Sequence, residues 1–172
     1  MRTLCLLVPI EPGARGRLAA ELARLPQGAD SPLGALPGLH LARFVLIPAL
    51  EARDGAAAEP PEPHLLFCAD ADGPPEALLD ALVVRLPELC SSVWRHCRGW
   101  PAGGDAAAVR AFLARHRLRP GFTLAPYAGA TVDDVHGALE LRTRVADFAA
   151  ASAGLPANEL ARAWRATFGG GA

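Results

Sequence analysis

The sequence predicts an α+β fold: a ferredoxin-like βαββαβ antiparallel sheet with its helices on one face, extended by a mainly helical C-terminal segment. Three observations carry this expectation. Over the first hundred residues, short apolar runs bounded by Pro and Gly alternate with segments of helical spacing, in the order strand, helix, strand, strand, helix, strand. Two right-handed crossovers then set both helices on the same face of the sheet. Beyond Gly104 the apolar spacing is mainly helical.

Each element has a local reason. Thr3 to Val8 is a short apolar run stopped by Pro9 and by Pro12-Gly13, which suits a strand entering a turn. From Ala14 to Leu25 the spacing turns helical, with Leu18, Leu22 and Leu25 on one side and charged residues on the rest. Residues 26–38 are rich in Pro, Gly, Asp and Ser and read as a loop. Residues 39–50 (LHLARFVLIPAL) read as a second strand and residues 64–73 (HLLFCADADG) as a third, joined by an exposed connection through AAAEPPEP. Pro74 and Pro75 open a helix whose apolar face is Leu78, Leu79, Leu82, Val83 and Leu86. Leu89 to Trp100 reads as the fourth strand.

In the extension, Asp105 caps a helix from Ala106 to His116. Pro120-Gly121 breaks it, and FTLAPYAGA reads as a short extended segment. Thr131 caps a long helix whose first turn carries Asp133 and Asp134, and Pro156 to Phe168 forms a last one. The expected organisation is a ferredoxin-like unit over 1–101, a helical extension packed on the same domain over 102–168, and a disordered tail over 169–172.

Composition narrows the function classes. Half the residues are apolar and a fifth are charged, as in globular proteins. A net charge of −1 gives no electrostatic basis for a nucleic-acid or anionic-membrane partner. All seventeen basic residues are arginine, so no lysine Schiff base or lysine general base can operate. The apolar run at the N-terminus is too short for a secretory signal or a membrane span, which sets a cytoplasmic expectation. Cys5, Cys68, Cys90 and Cys97 form no CxxC pair and no zinc-knuckle spacing, and read as reduced, buried residues.

The βαββαβ order, with a first strand LCLLVPIEPG and a fourth strand VWRHCRGW, resembles the dimeric α+β-barrel superfamily. That group includes antibiotic-biosynthesis monooxygenases, small cyclases and isomerases, and haem proteins such as chlorite dismutases and dye-decolourising peroxidases. The resemblance implies that the open sheet face is covered by a second copy, as a homodimer, or by the C-terminal extension, with the pocket between that face and the C-terminal helices. The GxxDG motif of the dye-decolourising peroxidases is absent, since ADADG at 69–73 lacks its first glycine.

The candidate site rests on histidines. Alternation in a strand over 89–100 puts Trp94, His96, Arg98 and Trp100 on one face, which suits a pocket wall or a dimer seam. His40 shares a strand face with Ala42, Phe44 and Leu46, and His116 lies on the apolar side of its helix. Those three could converge on a metal, or one could ligate haem iron. Taken singly, each could equally donate to a backbone carbonyl. His64 and His136 read as surface residues.

Arg43 in an apolar strand needs a carboxylate such as Asp70 or Asp72, or an anionic ligand. Tyr127, in the Pro126–Gly129 loop, could line a pocket mouth or close a core edge. No GxSxG, Walker, GxGxxG or HExxH motif is present.

The leading expectation is therefore a small-molecule enzyme, oxidative and His-dependent, acting on an apolar or anionic metabolite. His96, Arg43 and Arg98 are its catalytic candidates, Trp94, Trp100 and Tyr127 its walls, and His40, His96 and His116 its ligands for haem, iron or copper. The alternatives are a metal-free cyclase, isomerase or monooxygenase, and a non-catalytic accessory subunit whose Trp face docks a protein.

Overall fold

The fold is taken from a computed structural model, which describes residues 2–48, 62–119, 121 and 129–169. Two compact units emerge, residues 1–132 and 133–172. The first is a mixed α+β unit on a four-stranded antiparallel sheet, ordered β2-β3-β1-β4. Its elements are β1 (Arg2–Pro9), α1 (Arg15–Arg24), β2 (Leu39–Ile47), β3 (His64–Ala71), α2 (Pro75–Arg85), α3 (Pro87–Trp94), α4 (Ala106–Arg115) and β4 (Arg117–Leu118).

β1 pairs with β3 along its whole length, from Arg2 opposite Ala71 to Pro9 opposite His64. Strict alternation then divides the sheet. Leu4, Leu6, Val8, Leu65 and Phe67 are fully buried and pack with Leu18 of α1, Leu82 of α2 and Leu113 of α4. Cys5, Leu7, Leu66 and Cys68 turn to the opposite, open face and are half-buried.

The expected fourth strand over 89–100 does not form. Pro87 occupies the first turn of a helix and Glu88 follows it at the positive end of the dipole. Leu89, Cys90, Val93 and Trp94 then fall on one helical face, and all four are buried. After Trp94 the chain turns, and Cys97 makes a single antiparallel bridge to Ile10. Arg98 N–H donates to Pro9 O at 2.8 Å, and Glu11 N–H to His96 O at 2.9 Å. The outer edge of β1 is thus closed in pieces, by residues 96–98 at one end and by the two-residue β4 further along. The strand-face arrangement of Trp94, His96, Arg98 and Trp100 falls with the strand.

Other expectations fare better. Asp105 caps α4, its carboxylate accepting Ala108 N–H at 2.8 Å. The expected extended segment at FTLAPYAGA, Tyr127 within it, the AAAEPPEP connection and the last three residues lie outside the described residues.

The second unit holds most of α5 (Val132–Ala151) and all of α6 (Ala157–Phe168). Phe148 meets Trp164 and Phe168 edge-on, at centroid distances of 5.4 and 5.5 Å. Arg144 lies 5.3 Å from the centroid of the Phe168 ring and donates to Thr167 O. Among the described residues no helix is long and apolar enough to cross a membrane.

Candidate functional site

A groove of about 650 Å³ runs along the inner side of β2. Its walls are Leu22 and Leu25 from α1, Leu33 from the following loop, Phe44 from β2 and Leu89 from α3, with Gln27, Ser31 and His40 as polar members. The size is within the range of small-molecule sites, and apolar walls with a few convergent polar groups are their usual composition.

His40 is placed there by an irregularity. Leu39 pairs with Ala71 and Leu41 with Asp70, so β2 spends two residues where β3 spends one. His40 is the extra residue, a bulge that re-aims its side chain. The ring Nε2 lies 2.8 Å from Asp72 Oδ1. A carboxylate can only accept, so Nε2 carries a proton, and in the neutral ring Nδ1 is the nitrogen with the free lone pair.

Asp72 is itself held on every side. Its Oδ2 accepts the Val132 N–H at 2.9 Å, and its own N–H donates to Gly38 O at 2.9 Å. The Val132 N–H first, and His40 second, hold its carboxyl below the ordinary carboxylate range. Gly38 has φ +66°, and a Cβ there would stand 3.0 Å from Asp72 Cβ. Glycine at this position is what lets the carboxylate come close.

The other expected site residues are dispersed. Arg43 borders the groove on β2, is exposed, and has no carboxylate within ion-pair distance among the described residues, so the expected pairing with Asp70 or Asp72 is not made. Arg98 is committed to Glu62 at 2.6 Å. It lies beside Pro9, seven residues along β1 from the end near His40, roughly 23 Å at ~3.3 Å per residue.

His116 ends α4, its Nδ1 donating to Phe112 O at 2.8 Å and its ring against Phe112. β2 and β4 are opposite edges of the sheet, so His40 and His116 are separated by about three strand spacings across it, roughly 14 Å, and by about five residues along it, roughly 16 Å. The structure does not bring His40, His96 and His116 together. Among the described residues no cluster of three or more His, Cys, Asp or Glu side chains is placed to hold a metal ion.

The two tryptophans part company as well. Trp94 is fully buried against Phe44 and Phe67, whereas Trp100 packs edge-on to Phe112 at another point of the same core. They are not two walls of one pocket, and Trp94 offers no surface to a partner.

His96 occupies the turn after α3 and is 9% exposed. Its Nε2 and the Nε1 of Trp94 are buried with no hydrogen-bond partner among the described residues. Burial first, then the charges of Arg95 and Arg17, lowers the pKa of the His96 ring, with Glu21 opposing.

Sequence reasoning singled out His40 and missed Asp72 as its partner. It also missed that Cys5 and Cys68, 63 residues apart, meet sulfur to sulfur on the open face. Both cysteines share strand parity with the other residues of that face, but only the β1–β3 register sets them opposite each other.

Comparison with family models, with curated proteins and with solved structures yields no match for this chain.

Proposed function

We propose that the groove along β2 binds a small, largely apolar molecule bearing a carbonyl or anionic group, and that His40 moves a proton on it. The observation behind this reading is His40, oriented by Asp72 at 2.8 Å, on the wall of a groove of about 650 Å³. Nδ1 would take a proton from carbon next to the carbonyl, and the Asp72 carboxylate would stabilise the imidazolium that forms. Returning the proton to another atom completes an isomerisation or ring closure, so the reaction class is a metal-free isomerase or cyclase. The finer reading of the fold, a ferredoxin-like unit of the dimeric barrel type with a second copy against the open face, rests on the antiparallel pairing of β3 with both β1 and β2; α3 and α4 stand where a plain βαββαβ unit carries only its last strand.

The test is ligand-observed NMR with a panel of aromatic and medium-chain monocarboxylates and ketones. Binding that is weakened at least tenfold by Phe44→Ala, with deuterium exchange at the α-carbon lost in His40→Gln, supports the reading. Unchanged exchange in His40→Gln overturns it.

A second reading places an oxidative, haem- or metal-dependent function at His96. Its supporting observation is the buried Nε2 without a partner. Any ion or haem iron there would be held through His96 Nε2. An absorbance spectrum and metal analysis of the purified protein decide it: a Soret band or stoichiometric iron or copper that His96→Ala removes would support this reading.

A further inference from the structure

The open face of the sheet carries chemistry that the groove does not use. Cys5 on β1 and Cys68 on β3 are directly opposed in the register, and their Sγ atoms are 3.2 Å apart. Arg43 on β2 is the next residue along the same row, opposite Cys68. Both cysteines are half-buried, unlike Cys90 and Cys97, which are buried in the core.

We propose that Cys5 and Cys68 are a reactive dithiol that closes to a cross-strand disulfide by exchange with a low-molecular-weight disulfide of the oxidised-glutathione class.

Directly opposed residues of an antiparallel pair have Cα atoms about 4.5–5.5 Å apart, inside the range of about 4.4–6.8 Å that a disulfide spans. Closure therefore needs only side-chain rotation, bringing the sulfurs from 3.2 Å to a bond of about 2.05 Å. A tetrahedral ion held by the same two sulfurs, at about 2.3 Å from each, would need them nearer 3.8 Å apart, so the gap suits a covalent link better.

The two thiols are not equivalent. Burial first, and then the contact with Cys68, pushes the Cys5 thiol up to about 12, while Arg43 pulls the other way. Cys5 thus holds its proton more firmly than an ordinary thiol.

Cys68, with Arg43 opposite it in the register, attacks first. Its thiol gives up a proton to solvent, the sulfur attacks one sulfur of the small disulfide, and that S–S bond breaks to release one thiolate. Cys5 then loses its proton to solvent, its sulfur attacks Cys68 Sγ in the mixed disulfide, and a second thiolate leaves. The released protons balance the two thiolates. The protein is oxidised by two electrons and the small disulfide is reduced to two thiols.

The experiment uses the reduced, full-length chain under native conditions, incubated with oxidised glutathione and then trapped with iodoacetamide. Cleavage after arginine places the four cysteines on four separate peptides. The expected product is lighter by two hydrogens and links the Cys5 and Cys68 peptides, with Cys90 and Cys97 still reduced. Cys5→Ser should arrest the reaction as a stable glutathione adduct on Cys68. A wild-type chain that stays reduced, keeps a lasting glutathione adduct, or links through Cys90 or Cys97 overturns the proposal, whether or not the variant folds.

Discussion

The Trp94 indole meets the Phe67 ring edge-on, 5.7 Å between centroids and 79° between planes, and so joins α3 to the middle of the sheet. Phe44 completes the cluster from β2, 5.6 Å from Trp94. Trp94→Ala would leave a large void at a site that is fully buried, and the expected loss is about 3–5 kcal/mol of folding stability. Trp94→Phe keeps much of the volume and removes the buried N–H that has no partner, so it should cost distinctly less. Urea unfolding of the two variants gives the comparison. Equal losses would sink the account.

The folded state resists protonating His96, so an unfolded chain binds that proton more readily. Stability from this residue is present above the ordinary histidine range, near pH 6.5, and is lost as pH falls through it. Chemical denaturation between pH 7.5 and 5 should show falling stability, and His96→Gln should flatten that slope. A wild-type slope that His96→Gln leaves unchanged would assign the effect elsewhere.

Asp72 acts lower on the pH scale. Its folded carboxyl titrates below its ordinary value near 3.8, so its contribution is present above that value and disappears as pH falls further. Asp72→Asn should lower the Tm at neutral pH and leave a weaker decline below pH 4. Gly38→Ala, which crowds Asp72, should reproduce part of that loss.

Hydrogen-bond partners fix three imidazole tautomers. His40 faces a carboxylate through Nε2, while His64 and His116 face the carbonyls of Glu62 and Phe112 through Nδ1. Long-range ¹⁵N–¹H NMR of the neutral rings should therefore show Nε2–H for His40 and Nδ1–H for the other two. An Nδ1–H tautomer at His40 would remove the base that the proposed reaction needs.

Burial pushes the thiols of Cys90 and Cys97 each up to about 12. Neither should react with iodoacetamide at pH 8 in the native protein, and both should react once it is unfolded. Rapid native alkylation of either, followed by peptide mapping, would contradict their place in the core.

Most elements were legible because their periodicity is unmistakable: α1 repeats Leu18, Leu22 and Leu25, and β3 alternates Leu65, Phe67 and Ala69 inward. The segment 89–100 misled because a short apolar run with Val and Trp fits a strand and a buried helix alike. Pro87-Glu88, a helix-opening pair, was the signal that distinguishes them. His40 stood out as a polar residue in an apolar stripe, yet the bulge that turns it toward Asp72 depends on the pairing of β2 with β3. The meeting of Cys5 with Cys68 depends in the same way on register across 63 residues, which no local pattern encodes.

The order of the strands has a consequence for synthesis. Of the four strands β1 leaves the ribosome earliest, yet its two neighbours are β3, complete only at Ala71, and β4, which ends at Leu118. Until then Leu4, Leu6 and Val8 belong to an apolar ribbon with open hydrogen-bonding edges, the form most apt to pair with another chain. Chains cut short before residue 117 are therefore the ones expected to aggregate, and the strand made first is the last to be enclosed.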